Sequence, residues 1–275
     1  MSRLTLDAHT EKLPLKKPFR ISGYLFTHVD VVRVTLRDGA LTGRGEAAGV
    51  YYLGDDTDHM MAEIEAARAE IEAGATRTDL QGLMAAGGAR NAIDCAFWEL
   101  ESRRSGRPVW QLAGLPAPRP LVTTFTLGAD DPAVMAEGAR AFAQAKSIKL
   151  KLTGEIDLDI ARVSAIRAAR PEAYVPGLVG RFDIVNIKLD KCGGLTEALA
   201  IAREARRLGL GVMVGNMVGT SLAMAPAFVV GQLCDVVDLD GPIVLARDHT
   251  PGVIYEDGMI HCPEEIWGVK AAAAS

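Results

Sequence analysis

From Pro120 onward, short apolar runs alternate with segments of helical spacing, and this restricts the chain to folds built from parallel βα units. The strand-like runs are 121–127, 147–152, 183–188, 211–215 and 236–240, and the helical segments between them are 132–145, 156–169, 195–208 and 221–230. Five such strands fit an open sheet. A closed (β/α) barrel takes eight strands and typically about 250 residues, so the same pattern also fits a barrel from which a middle block is absent.

The part before Pro120 reads differently. Alternation over 27–36 puts Val32, Val34 and Leu36 on one face, Asp38-Gly39 marks a hairpin turn, and 41–47 forms a second strand. Helical spacing then covers 58–73, with Met61, Ile64 and Ala67 on one face, and 90–105, burying Ile93, Ala96, Phe97 and Leu100. A meander followed by helices is an α+β arrangement. The expected organisation is an N-terminal α+β domain over 1–119, an incomplete (β/α) barrel domain over 120–262 and a C-terminal segment over 263–275.

Composition narrows the function classes. With 275 residues, 49% of them hydrophobic and 24% charged, the chain can bury a sizeable core. A net charge of -5 argues against a nucleic-acid partner. Cys95, Cys192, Cys234 and Cys262 show neither CxxC pairs nor zinc-ligand spacing, and residues 1–15 lack the apolar centre of a signal peptide, so a cytoplasmic protein with free thiols is expected. The stretch 208–234 carries no charge, yet its five glycines, Asn216 and Pro226 read as a buried strand plus a helix rather than a membrane span.

The chemistry concentrates on lysines at strand ends. Side chains alternate along a strand, so Lys149 and Lys151 share one face while Ile148, Leu150 and Leu152 take the other. Two inward ammonium groups are costly unless they meet carboxylates or do chemistry, although a solvated edge strand would show the same pattern. The segment 182–188 also ends in a lysine, Lys188, followed by Gly193-Gly194. Lysines at the ends of separate strands would put a base on each side of a substrate. Asp238 and Asp240 share a face by the same period-two rule, though Asp-Gly-Pro is also ordinary turn chemistry.

Several motifs in order carry a resemblance: Gly43-Arg44-Gly45-Glu46, Asn91-Ala92-Ile93-Asp94, Gly106-Arg107-Pro108-Val109-Trp110, the Lys149/Lys151 pair, the run from Ile187 to Gly194, and Asp238-Leu239-Asp240-Gly241-Pro242. Over two blocks, roughly 4–175 and 176–267, the chain resembles the dipeptide epimerases of the enolase superfamily, the group that includes L-Ala-D/L-Glu epimerases. The resemblance implies a capping domain over a modified (β/α) barrel and a 1,1-proton transfer at a dipeptide Cα. It implies Lys151 and Lys188 as the catalytic acid/base pair on opposite faces of that carbon. Lys149 would lower the pKa of Lys151 and touch the substrate carboxylate, Asp238 and Asp240 would hold the substrate ammonium, and Thr124 and Asn216 would contact the substrate. The cofactor implied is Mg²⁺, held by three carboxylates on the third, fourth and fifth barrel strands.

Two departures stand out. The block that should carry those strands, between Ala173 and Phe182, is absent, and all three metal ligands go with it. Glu155, Asp157 and Asp159 sit at a helix start, where capping and the helix dipole explain them. Second, Gly23 stands where Ala-Glu epimerases tend to carry an arginine. Arg20 is either its substitute or a surface strand residue, and Tyr51 and Tyr52 suit a less acidic side chain. Three readings follow: a dipeptide epimerase, a non-catalytic remnant binding dipeptides through Asp238 and Asp240, and a Schiff-base lysine enzyme. The expected partner is a small dipeptide, with neither nucleic acid nor membrane, and the unpaired strands of a shortened barrel could also drive a homo-oligomer.

Overall fold

The computed structural model describes residues 4–21, 24–170 and 184–270. Three antiparallel strands open the chain, β1 (Thr5–Ile21), β2 (Tyr24–Asp38) and β3 (Leu41–Ala47), in the order β1-β2-β3. The sequence reading found most of β2 and all of β3 but not β1. Pro14, Lys16, Lys17 and Pro18 interrupt β1, and its ladder shifts register between Pro14 and Phe19.

On this sheet pack α1 (Thr57–Glu72), α2 (Arg77–Leu83) and α3 (Gly88–Ser105), followed by the short α4 (Val109–Leu112). The buried stripe of α1 is Met60, Ile64, Ala67 and Ile71, so Met60 takes the core position expected of Met61. Every residue of α3 from Gly88 to Leu100 is buried, because the helix lies between the N-terminal sheet and the elements that follow. That position explains Asn91-Ala92-Ile93-Asp94, which mixes apolar residues with buried polar ones that reach across.

The second half alternates as expected: β4 (Leu121–Val122), β5 (Thr124–Leu127), α5 (Pro132–Ala141), β6 (Ser147–Leu150), α6 (Ile156–Ala169), β7 (Ile184–Lys188), α7 (Leu189–Cys192), α8 (Leu195–Arg207), β8 (Gly211–Gly215), α9 (Ser221–Gly231) and β9 (Val236–Asp238). A closing hairpin, β10 (Ile254–Glu256) and β11 (Met259–His261), pairs with β4 in a small antiparallel sheet. The run 121–127 is thus two strands serving different sheets. Parallel ladders join β5 to β6, and β7 to β8 to β9. Between β9 and β5 the wall closes through side chains, with Leu239 N–H donating to Thr123 Oγ1 at 3.0 Å.

Among the described residues no ladder joins β6 to β7. Ile184 of β7 is 38% exposed and Ile156 of α6 74% exposed. The architecture is an α+β cap over a shortened barrel of parallel βα units. No helix among the described residues is long and apolar enough to cross a membrane, and the charge-free stretch forms β8 and α9.

Buried polar side chains fasten cap to barrel, and they account for the motifs. Glu46 accepts from Thr220 N–H at 2.6 Å and Thr220 Oγ1 at 2.7 Å, at the start of α9. Asp94 accepts from Thr196 N–H and Oγ1 at 2.9 and 2.5 Å, capping α8 from another layer. Arg90 donates to the carbonyls of Cys192 and Gly193 at 2.6 and 3.2 Å. Gly193 has φ of 84°, and a Cβ there would stand 2.2 Å from Arg90 Nε, so both backbone and crowding require glycine. The C-terminal segment docks on the cap, with Trp267 Nε1 donating to Arg44 O at 3.0 Å and Gly268 N–H to Glu99 at 3.1 Å.

Gly45 lets β3 meet α3 backbone to backbone, since a Cβ there would lie 1.9 Å from Ala92 O. Gly45→Ala is expected to cost on the order of 2 kcal/mol of stability through overpacking. Urea unfolding measures this, and an unchanged midpoint would contradict the packing described.

Candidate active site

A cavity of about 430 Å³ lies between the C-terminal ends of the parallel strands and the cap. Its barrel side carries Thr126, Lys149, Lys151, Lys188, Asn216, Asp238 and Asp240, and its cap side carries Phe19, Phe26, Tyr51 and Tyr52 among other residues. The strand ladders explain how these side chains meet. β6 ends at Leu150, but Lys151 N–H still donates to Leu127 O at 3.0 Å. The strand geometry therefore continues far enough to bring both Lys149 and Lys151 to the cavity. On the other side, register aligns Lys188 with Gly215 and Gly215 with Asp238. Gly215 presents no side chain, which leaves room for Lys188 and Asp238 to lean toward one another.

Charges in this space are tightly arranged. Lys149 forms an ion pair with Asp238, which also accepts from Thr124 Oγ1 at 2.5 Å. Asp240 accepts from Thr126 N–H at 2.5 Å, and Lys188 Nζ donates to Asn216 O at 3.0 Å. Burial, and then the neighbouring Lys149 ammonium, pushes the Lys188 amine down to about 8. The same two causes lower Lys151. Burial, reinforced by Asp238, raises Asp240 to about 6. Lysines shifted in this direction are the groups that can take and return protons near neutral pH.

The structure gathers Lys149, Lys151, Lys188, Asn216, Asp238 and Asp240, all singled out in the sequence, around one space. Thr124 is the hydrogen-bond donor to Asp238, and Thr126, two residues along, lines the cavity. The Asn216 side-chain amide donates to Met217 O at 2.6 Å, while its backbone carbonyl receives Lys188. Arg20 is exposed and outside the lining, its neighbour Phe19 being the residue that faces the cavity. Gly23 lies outside the described residues.

One residue that sequence reasoning missed is Asp190. Its carboxylate accepts the N–H groups of Ala48 and Gly49 at 2.9 and 3.0 Å, holding the cap segment that leads into Tyr51 and Tyr52. Burial raises it to about 6, opposed by those two hydrogen bonds and by Lys188. An acid two residues after a strand-end lysine was visible, but its partners in the cap were not.

Asp159 accepts from Gly154 N–H at 2.8 Å and pairs with Arg162 at 2.7 Å, which fits a helix-start role for the 155–159 acids. Among the described residues, the one group with three close ligand atoms is Asp55, His59 and Glu63, within 4.8 Å of one another. There His59 turns Nδ1 to Asp55 at 3.1 Å and Nε2 to Glu63 at 3.9 Å, so the ring bridges two acids instead of sharing one focus with them. That group also lies outside the cavity lining. The described residues do not form a three-carboxylate site at the lysines, and the block 173–182 lies outside them.

Comparison with known proteins fits this geometry. Residues 4–114 match the mandelate racemase/muconate lactonizing enzyme N-terminal domain, and residues 179–268 match the enolase C-terminal domain-like family. The L-Ala-D/L-Glu epimerase of Escherichia coli is 31% identical over 318 aligned positions, covering 94% of this chain and 99% of that protein. This chain belongs to the enolase superfamily. An enolase family member from Agrobacterium tumefaciens, solved with sodium and L-Ala-L-Glu bound, is 36% identical with a TM-score of 0.88, covering 96% of this chain and all of the other. The Methylococcus capsulatus dipeptide epimerase, complexed with Mg and a dipeptide, shares the fold at 23% identity and a TM-score of 0.86, covering 98% of this chain and 100% of its own. The 318-position alignment exceeds this chain's 275 residues, so the E. coli enzyme carries sequence that has no counterpart here.

Lys188 makes a signed prediction. An unfolded lysine titrates near 10.4, so with a folded value of about 8 the unfolded chain holds more protons between those pH values. Stability from this group therefore rises as pH increases from 8 toward 10. Lys188→Met is expected to stabilise the fold at pH 7 by on the order of 2 kcal/mol, and the gain should shrink toward pH 10. Denaturant unfolding at both pH values checks this, and a pH-independent effect would contradict it.

Proposed function

We propose that this chain is a dipeptide isomerase of the epimerase type, acting at the α-carbon of the C-terminal residue. The supporting observation is the convergence of Lys151 and Lys188 from separate parallel ladders on one cavity, both with lowered basicity. In this reading the substrate α-carbon sits between them. The neutral amine on one side takes the α-proton as the C–H bond breaks, and the ammonium on the other side gives a proton to the opposite face of that carbon. The centre inverts and the two lysines exchange protonation states. Lys149 lies beside both and places positive charge where the carboxylate gains electron density.

Asp238 and Asp240 belong to the ammonium end. Asp238 is held by Lys149 and Thr124, and Asp240 by the Thr126 amide, so both carboxylates are oriented before any substrate arrives. A free α-ammonium adds a charge-assisted hydrogen bond there, which an N-acyl group cannot supply in ionic form.

Among the described residues no three-carboxylate group stands at the lysines, which favours a second reading, in which the same pocket binds dipeptides and turns them over weakly or not at all. Proton removal beside a carboxylate creates a second negative charge, and an enolase-type site relies on Mg²⁺ for it.

The experiment follows α-proton exchange by NMR in D₂O over a panel of free dipeptides with Mg²⁺ present. The expected result is exchange with inversion, reduced at least about 100-fold by Lys151→Ala or Lys188→Ala. Binding without exchange in a folded sample would reject the catalytic reading in favour of the second. Equal calorimetric affinity for free and N-acetylated dipeptides would remove the role of Asp238 and Asp240.

A further inference from the structure

We propose that the cap selects a dipeptide whose C-terminal side chain is aromatic or large and apolar, with Tyr51 and Phe26 as the specificity-determining residues. This rests on the dipeptide reading of the site. With the ammonium end at Asp238 and Asp240 and the α-carbon between the lysines, the remaining substituent of that carbon points from the strand ends toward the cap.

The surface it meets is a connected aromatic wall. Tyr51 sits at its centre, edge-on to Phe26 at 5.1 Å, to Tyr24 at 5.0 Å and to Tyr52 at 5.1 Å between ring centroids. Tyr24 and Tyr52 remain 50% and 48% exposed, and Leu25 beside them 55% exposed. Clustered aromatic surface left open to water at the mouth of a cavity is unfavourable until something apolar covers it.

The charges around the wall exclude the alternatives. Among the described residues the cap-side lining contains no lysine or arginine, and the ammonium beside this wall, Lys191, is exposed and already engaged with the Tyr52 ring, so a glutamyl carboxylate would find no guanidinium or ammonium inside the cavity's cap side. It would instead approach Asp30 and Asp56, both in the lining. Those two acids do not form a receptor for a cationic side chain either. Asp30 faces Lys12 at 4.0 Å and His28 at 3.6 Å, and Asp56 accepts His59 N–H at 2.9 Å as the cap of α1. Lys191 Nζ already lies over the Tyr52 ring, 5.3 Å from its centroid, and its charge opposes a second cation on the same wall.

Isothermal titration calorimetry on the full chain tests the inference with alanyl-phenylalanine, alanyl-leucine, alanyl-glutamate and alanyl-lysine. Alanyl-phenylalanine is expected to bind at least about tenfold more tightly than alanyl-glutamate and alanyl-lysine, with alanyl-leucine between. Tyr51→Ala should erase that advantage, and an unaltered far-ultraviolet circular dichroism spectrum and urea midpoint show that the variant is folded. Tyr51→Arg should reverse the order in favour of alanyl-glutamate. Tightest binding of alanyl-glutamate or alanyl-lysine by the unaltered protein would overturn the inference and leave the dipeptide site intact. Unchanged selectivity in Tyr51→Ala would overturn the role of the wall. No binding by any of the four would overturn the dipeptide reading and this inference with it.

Discussion

Three ammonium groups share one cavity, and the rest of the site follows from how they are balanced. Lys149, Lys151 and Lys188 leave the ends of parallel strands and point into about 430 Å³ of space. Like charges at this spacing in a partly dry site repel strongly. The protein answers with one ion pair, Lys149 to Asp238, and with lowered basicity of the other two. Lys188, at about 8, can exchange between its two states near physiological pH, and Lys151 is shifted in the same direction.

The cap covers the strand ends, and it is held by buried side chains outside the cavity lining. Glu46 on Thr220, Asp94 on Thr196 and Arg90 on the Gly193 turn lock α3 and β3 onto the βα layer. Asp190 adds the connection closest to the site, because the segment carrying Lys188 also grips the backbone at Ala48 and Gly49. A change in the cap segment is thus felt within two residues of a candidate base.

Much of this was legible in the sequence, and for identifiable reasons. The period-two pattern at 147–152 fixed which face Lys149 and Lys151 share, and strand–helix alternation gave the parallel layer. Local spacing could not reveal partners distant in sequence. Thr124 and Thr126 share a face of β5, and only the tertiary contacts show that Thr126 lines the cavity while Thr124 donates to Asp238. β1 was missed because its prolines and lysines mask an alternation that tertiary pairing with β2 enforces. That no ladder joins β6 to β7 among the described residues became visible only with the strand pairings in place.

The central claim is that Lys151 and Lys188 feel the same third ammonium. The most direct measurement is an NMR titration of both side-chain amines in the intact protein and in Lys149→Met. Removing Lys149 is expected to raise both pKa values together, because one repulsion disappears and Asp238 is freed to act on both. If neither value moves, the three lysines do not share one electrostatic site.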